Sequence, residues 1–185
     1  MDSSQSLTQR MRVPLGFGCG ALFLWLAPRY TTPSTLAVGA AISLVGVLIR
    51  AWATGHIVKN QQLTTTGPYA HTRNPLYVGS FFIALGFAIA AHWVAVLLVV
   101  AFWLAVYGPT ITRERDYLRS LYGEAYAEFE ANVPAFLPRL TPWAGPAGAD
   151  RSGSFSFPLY LRHREWQAGL GFLVVLAWLM FSPFR

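Results

Sequence analysis

The sequence predicts an all-α integral membrane protein: about five transmembrane helices, with a cytoplasmic amphipathic helix after the fourth. Three observations predict it. Only 12% of the 185 residues are charged, about half the ~25% of an ordinary soluble domain. Hydrophobic residues make up 54% of the chain, with 7 Trp and 13 Phe. Four windows, 13–28, 30–49, 74–112 and 166–184, contain no Asp, Glu, Lys or Arg.

Each span follows from those windows. A helix crossing the hydrocarbon core needs roughly 20 mainly apolar residues. The window 74–112 holds two, with "AAHW" at 90–93 as the turn between them. The expected spans are 13–28, 34–54, 75–91, 93–110 and 166–183. The first is short and carries three glycines, Gly16, Gly18 and Gly20. Arg10 and Arg12 ahead of it resemble the start of a signal peptide, but the stretch ends "WLAPRY" with no small-x-small cleavage site, so it reads as an uncleaved span.

Basic residues set the orientation. With the N-terminus in the cytoplasm, Arg10, Arg12, Arg50, Lys59, Arg73, Arg113, Arg115, Arg119, Arg139, Arg151, Arg162 and Arg164 face inward, and only Arg29 and Arg185 face out. The C-terminus is then outside. The net charge of +6 is a topology signal; no basic run interleaved with aromatics points to nucleic acid. The lone Cys19 makes neither an internal disulfide nor a metal cluster.

The polar mass lies on the inner side, in the loop 55–73 and the segment 111–165. Residues 111–131 read as the amphipathic helix. Ile111, Leu118, Leu121, Tyr122, Ala125 and Phe129 recur at three- and four-residue steps. Gly123 weakens its middle by about 1 kcal/mol relative to Ala. "NVPAFLPRLTP" ends it, because proline lacks the amide donor and crowds the preceding turn. Residues 141–157, rich in Gly, Pro and Ser, read as a flexible linker.

Two groups of residues could carry chemistry. The first is "TGPYAHTRNPLYVG" at 66–79. Pro75 fits the first turn of a helix, with Asn74 at the N-cap position. Tyr69, Arg73 and Tyr77 satisfy an interfacial aromatic belt and a positive-inside anchor. They also converge on a helix N-terminus, which favours anions. The second group is Arg113, Glu114, Arg115, Asp116 and Arg119. Alone it reads as a solvated charged face. The hairpin of spans 75–91 and 93–110 returns it to the same membrane face as the first group. Together they suit a ligand with both charged and apolar parts. His56 and His71 lie on that side and could act as bases; His92 is in the outer turn and His163 in the linker. No histidine pair has metal-ligand spacing on one helix, so no metal is expected.

The stretches "LTTTGPYAHTRNPLYVGSFFIALGFA" and "ITRERDYLRSLYGEAYAEFEANVPAFLP" together resemble the isoprenylcysteine carboxyl methyltransferase and phospholipid methyltransferase superfamily, over roughly residues 46–140. The resemblance implies an integral membrane methyltransferase that uses S-adenosylmethionine, with the cofactor pocket at the cytoplasmic ends of the hairpin helices and the segment after them. Carried over, Tyr69, Arg73, Asn74, Pro75 and Tyr77 match the first cofactor motif, and Glu114 matches the first acid of the second. His56, His71 and Arg73 are the catalytic candidates. Two positions depart from the pattern: Asn74 stands where histidine is common, and Arg115 where a second acid is usual. The implied acceptor is lipophilic, a small molecule, a lipid or a lipidated substrate such as an isoprenylcysteine carboxylate, or another hydrophobic amine or thiol. The fifth span lies beyond the shared motifs.

A non-catalytic lipid-binding or assembly protein of the same fold is the alternative class. A transporter fits less well, because no expected span carries a charge near mid-membrane.

Overall fold

The computed structural model describes residues 18, 20–56, 63–145 and 153–182. Residues 20–26 are helical and lead into a 3₁₀ turn, Ala27–Arg29. Four longer helical elements follow: α1 (Pro33–Thr54), α2 (Pro75–Ala91), α3 (Trp93–Phe102) and α4 (Gly108–Asn132). A short helix, α5 (Phe157–Arg162), precedes α6 (Trp166–Phe181). Among the described residues every regular element is helical. Of the first expected span, residues 13–17 and 19 lie outside the described set, as do 57–62 of the inner loop and 146–152 of the linker.

Local chemistry sets the helix starts. Thr32 caps α1 in a reciprocal box with Thr35, and Pro33 occupies the first turn, where a missing donor costs nothing. His92 is extended, with φ −164° and ψ 149°, and separates α2 from α3 in the expected "AAHW" turn. α3 and α4 form one continuous helical run through a π-helical turn, Trp103–Tyr107. Pro109 follows immediately. Its ring crowds the carbonyl four residues back, at Ala105, and the wider i→i+5 turn relieves that contact.

α1 and α2 are antiparallel and make the closest helix pair. A side chain at Gly46 would meet the Gly79 carbonyl at 2.5 Å, and one at Gly39 would meet the Gly86 carbonyl. Ser43 is fully buried in this seam and donates to the Ile83 carbonyl at 2.9 Å. Small residues allow backbones to approach closely where apolar solvent supplies little driving force. α6 packs against α1 and reaches α2 through Phe87. Phe172 and Leu179 join Ala27, Leu36, Phe87, Ala90 and Ala91 in one core, and Trp178 Nε1 donates to the Leu24 carbonyl at 2.7 Å.

Two helical runs are long and apolar enough to cross a membrane, Pro33–Thr54 and Trp93–Asn132; Pro75–Ala91 and Trp166–Phe181 are shorter apolar helices.

The expected amphipathic stripe over 111–131 is interrupted. Gly123 has φ 54° and ψ −124°, outside helical space, so the helix bends there and its face is reset. Leu121 is 48% exposed and Ala125 is exposed, while Tyr126 and Phe129 are buried. The bend turns residues 124–132 under the "GPYAHTRN" turn. There Tyr126, Phe129 and Val133 form a second core with Ala53 and Tyr69.

Candidate functional site

The expected motif forms a compact structure at the polar end of α1 and α2. Gly67, at φ 58°, starts a 3₁₀ turn, Gly67–Ala70, that buries Pro68 and Tyr69. The following residues are fastened by the chain after α4. Arg73 N donates to the Pro134 carbonyl at 2.9 Å, Arg139 N to the His71 carbonyl at 2.9 Å, and Trp143 N to the Ala70 carbonyl at 2.9 Å. Segment 134–143 is therefore an antiparallel strap along residues 70–74. Asn74 occupies the N-cap position of α2 but does not cap; its Nδ2 donates to the Ala135 carbonyl at 2.8 Å.

Arg73 is not a free cation. Its Nη1 donates to Glu130 Oε1 at 2.6 Å and lies 3.4 Å from the Tyr126 hydroxyl. Arg119 approaches the other Glu130 oxygen at 3.7 Å. Among the described residues, Tyr69 Oη, Arg73 Nε and Glu130 Oε2 are buried without a hydrogen-bond partner.

Glu114 is exposed and lies near both phenols. Burial raises the Tyr69 phenol above its ordinary range, Glu114 raises it further, Arg50 opposes the shift and Glu165 adds to it. Burial likewise raises Tyr126; Arg73 opposes this through its hydrogen bond and its charge, while Glu130 and Glu114 reinforce it. Of the second expected group, Glu114 thus lies within electrostatic reach of Tyr69 in the first and of Tyr126. Arg115 does not share that cluster. It forms an exposed pair with the adjacent Asp116 at 2.8 Å, and that partner raises its pKa.

Tyr77 points into an aromatic group. Its ring is 5.4 Å from Tyr107 and 6.4 Å from Trp103. Trp103 and Tyr107 stack at 4.0 Å across the π turn, and Phe81 and Phe136 pack on Trp103. Pro75 is buried.

His56 and His71 flank Trp52, at 6.2 and 6.0 Å between ring centroids. His71 Nδ1 lies 2.8 Å from the Arg139 carbonyl and His56 Nδ1 2.9 Å from the Trp52 carbonyl. A carbonyl only accepts, so Nδ1 carries the hydrogen in both and Nε2 is the basic nitrogen of the neutral ring. Among the described residues no group of three His, Cys, Asp or Glu is placed to hold a metal ion.

Comparison with known proteins places the chain in a family. The phospholipid methyltransferase family model matches residues 34–125. The chain is 36% identical over 83 residues to the protein-S-isoprenylcysteine O-methyltransferase of Schizosaccharomyces pombe, covering 44% of this chain and 35% of that one. It belongs to the isoprenylcysteine carboxyl methyltransferase and phospholipid methyltransferase superfamily.

Two bacterial relatives carry other names. The cobalt-zinc-cadmium resistance protein CzcN of Cupriavidus metallidurans is 33% identical over 153 residues, covering 81% of this chain and 68% of that one. The nickel-cobalt-cadmium resistance protein NccN of Alcaligenes xylosoxydans xylosoxydans is 30% identical over 119 residues, covering 63% and 54%. No solved structure matches the chain. With its apolar helices and this membership, the chain is an integral membrane protein.

The sequence does not single out Glu130 or Arg50 as site residues, whereas Tyr126 matches the pattern of the second resembling stretch. Tyr126 and Glu130 lie just past the family match, which ends at 125. The only local signal for Glu130 was Gly123, read as a soft point of a straight helix rather than a bend. Arg50 was counted as a topology signal, yet its guanidinium forks onto Glu165, at 2.5 Å from Nε and 3.0 Å from Nη2. Opposite charges at the ends of two apolar helices were the available clue.

Proposed function

We propose that this superfamily member transfers a methyl group from S-adenosylmethionine to a lipophilic acceptor, at the polar end of the bundle on the cytoplasmic membrane face. The observation that carries the reading is that, among the described residues, the buried side-chain polar atoms without a hydrogen-bond partner all fall on the motif residues Tyr69 and Arg73 and on the Arg73 partner Glu130, with the exposed Glu114 near Tyr69. Leaving a buried polar group unpaired costs about 1–3 kcal/mol. Three on or against a methyltransferase motif support a site shaped for a polar ligand.

The donor set fits the cofactor. Glu114 would take its ammonium or a ribose hydroxyl. Arg73 would take its carboxylate through donors that Glu130 does not use. Tyr69 and Tyr77 would pack on the adenine or beside the cation, where a ring face gains roughly 0.5–2 kcal/mol. When bound, the cofactor supplies an electrophilic methyl group on a positively charged sulfur.

The protein's own task is then alignment and exclusion of water, which together reach about 7–11 kcal/mol. The aromatic group Tyr77, Phe81, Trp103, Tyr107 and Phe136 provides a dry wall for the acceptor. A carboxylate acceptor needs no base. For an amine acceptor, His71 or His56 would receive the proton at Nε2, with Nδ1–H held by a backbone carbonyl. Asn74, where histidine is common, cannot titrate and serves the strap instead.

Calorimetric titration of the detergent-purified chain with S-adenosylhomocysteine tests the reading. Saturable binding is expected, weakened at least several-fold by Glu114→Ala and by Arg73→Ala, since a charge-assisted hydrogen bond contributes about 1.5–3 kcal/mol. Methylation of a lipid extract with labelled cofactor then sorts the acceptor class. A second reading, a non-catalytic lipid-binding or assembly protein, draws support from the Arg73–Glu130 pair, which already engages the central cation. No heat at millimolar ligand would favour it.

A further inference from the structure

We propose that Glu165, acting through Arg50, is a positioning residue for the site, which makes α6 a working part of it. The inference rests on the reading that the site binds S-adenosylmethionine, and it concerns a helix that begins well beyond the family match ending at 125.

The Arg50 guanidinium joins three elements. Nε and Nη2 donate to the two Glu165 oxygens at 2.5 and 3.0 Å. Nη1 donates to Ser80 Oγ at 2.6 Å and to the Leu76 carbonyl at 3.3 Å. Leu76 and Ser80 bracket Tyr77 in the first turns of α2, so the fork sets how that part of the motif is rotated. The arginine stem also fills the notch at Gly79, where a side chain would lie 2.5 Å from Arg50 Cγ. A planar two-pronged pair has the geometric specificity for this that a point contact lacks.

Two further features concentrate on Glu165. It is only 8% exposed, although it directly precedes α6. Arg164 beside it has φ 54°, left-handed for a residue with a side chain. Such a conformation persists only where the surroundings hold it. The turn between α5 and α6 therefore takes a disfavoured backbone shape and presents Glu165 inward. The buried Tyr69 hydroxyl, with no hydrogen-bond partner, lies in the field of both Arg50 and Glu165.

A merely structural staple and a positioning pair differ in whether ligand binding reaches α6. Hydrogen–deuterium exchange of the full chain, with and without saturating S-adenosylhomocysteine, separates them. The ligand is expected to slow exchange of residues 166–170 at least threefold in the native sequence. Glu165→Gln is expected to weaken binding about tenfold and to abolish that protection, while Glu165→Asp, which keeps the carboxylate on a shorter stem, gives intermediate values. If Glu165→Gln does not fold, the exchange of the native chain and the affinity of Ser80→Ala still decide; Ser80→Ala removes one arm and is expected to weaken binding two- to fivefold. Saturable binding with no change at 166–170, or with unchanged affinity in the folded variants, overturns the positioning role alone. Absence of saturable binding to the native chain overturns the methyltransferase reading and this inference with it.

Discussion

Replacing Gly123 by alanine tests the bend that carries Tyr126 and Glu130 to the site. The residue sits at φ 54° and ψ −124°, and an added methyl would meet no side chain or other element within 4 Å beyond the chain directly beside it. Any cost is therefore backbone strain, about 1–3 kcal/mol for a non-glycine residue in so sparse a region. Alanine also lowers the entropy of the unfolded chain, offsetting about 0.4–1 kcal/mol. Straightening the helix would escape the strain and gain about 1 kcal/mol of helix propensity. It would also pull Tyr126 and Phe129, each 2% exposed, out of their core. Each such burial is worth roughly 1.5–3 kcal/mol, and the Arg73–Glu130 pair would part as well. Straightening loses, so the bend persists under strain. Gly123→Ala is expected to lose about 1–2 kcal/mol, a fall of roughly 2–8 °C in Tm for a chain of this size. Affinity for S-adenosylhomocysteine should stay within threefold. Fluorescence-detected melting of the purified protein measures the first quantity and calorimetry the second. A variant that melts at or above the native temperature would refute the bend.

Three other perturbations follow from the same geometry. Tyr69→Phe removes a buried hydroxyl with no hydrogen-bond partner; the variant should melt no lower than the native chain yet bind S-adenosylhomocysteine at least fivefold more weakly, and a clear drop in Tm would show that the hydroxyl has a structural partner. Glu130→Gln leaves Arg73 without its anion and should lower stability by about 1.5–3 kcal/mol, read from denaturant melts. Because burial raises the phenols of Tyr69 and Tyr126, the folded chain keeps protons that unfolded tyrosines release near pH ~10. Stability contributed below that pH is therefore lost as pH rises above it, and melting temperatures at pH 8, 10 and 11 should show the fall.

The elements that local chemistry controls were legible in the sequence. Charge-free windows marked α1, α2, α3 and α6, and "AAHW" marked the turn at His92. Pro75 and Asn74 marked the start of α2. What could not be read depends on contacts far apart in the chain. The partner of Arg73 is Glu130, across a bend that only the positive φ of Gly123 reveals. The partner of Arg50 is 115 residues away. Asn74 suited a cap by type, but its Nδ2 donates to the Ala135 carbonyl in the strap and its Oδ1 accepts from no helix amide. The π turn also lies beyond a simple hydropathy reading, because α3 stays apolar through it. Pro109 was the available sign.

The two sides of the proposed site differ in how firmly they are held. α1 and α2 are locked backbone to backbone through Gly39, Ser43, Gly46, Gly79 and Gly86, and Arg50 ties them to α6. The apolar part of the Trp93–Asn132 run is only 6% buried, against 28% for α1, and Leu97, Leu98 and Leu104 all point outward. Few contacts with the rest of the chain leave the position of that helix less constrained by protein packing. The motif that would hold a polar cofactor is thus carried on the rigid pair and pinned by the strap. The aromatic wall at Trp103 and Tyr107 is carried on the loosely packed helix. A lipophilic acceptor arriving from the bilayer would meet the side that yields, while the cofactor-binding side keeps its geometry. That division fits a transfer between one water-soluble and one membrane-borne reactant.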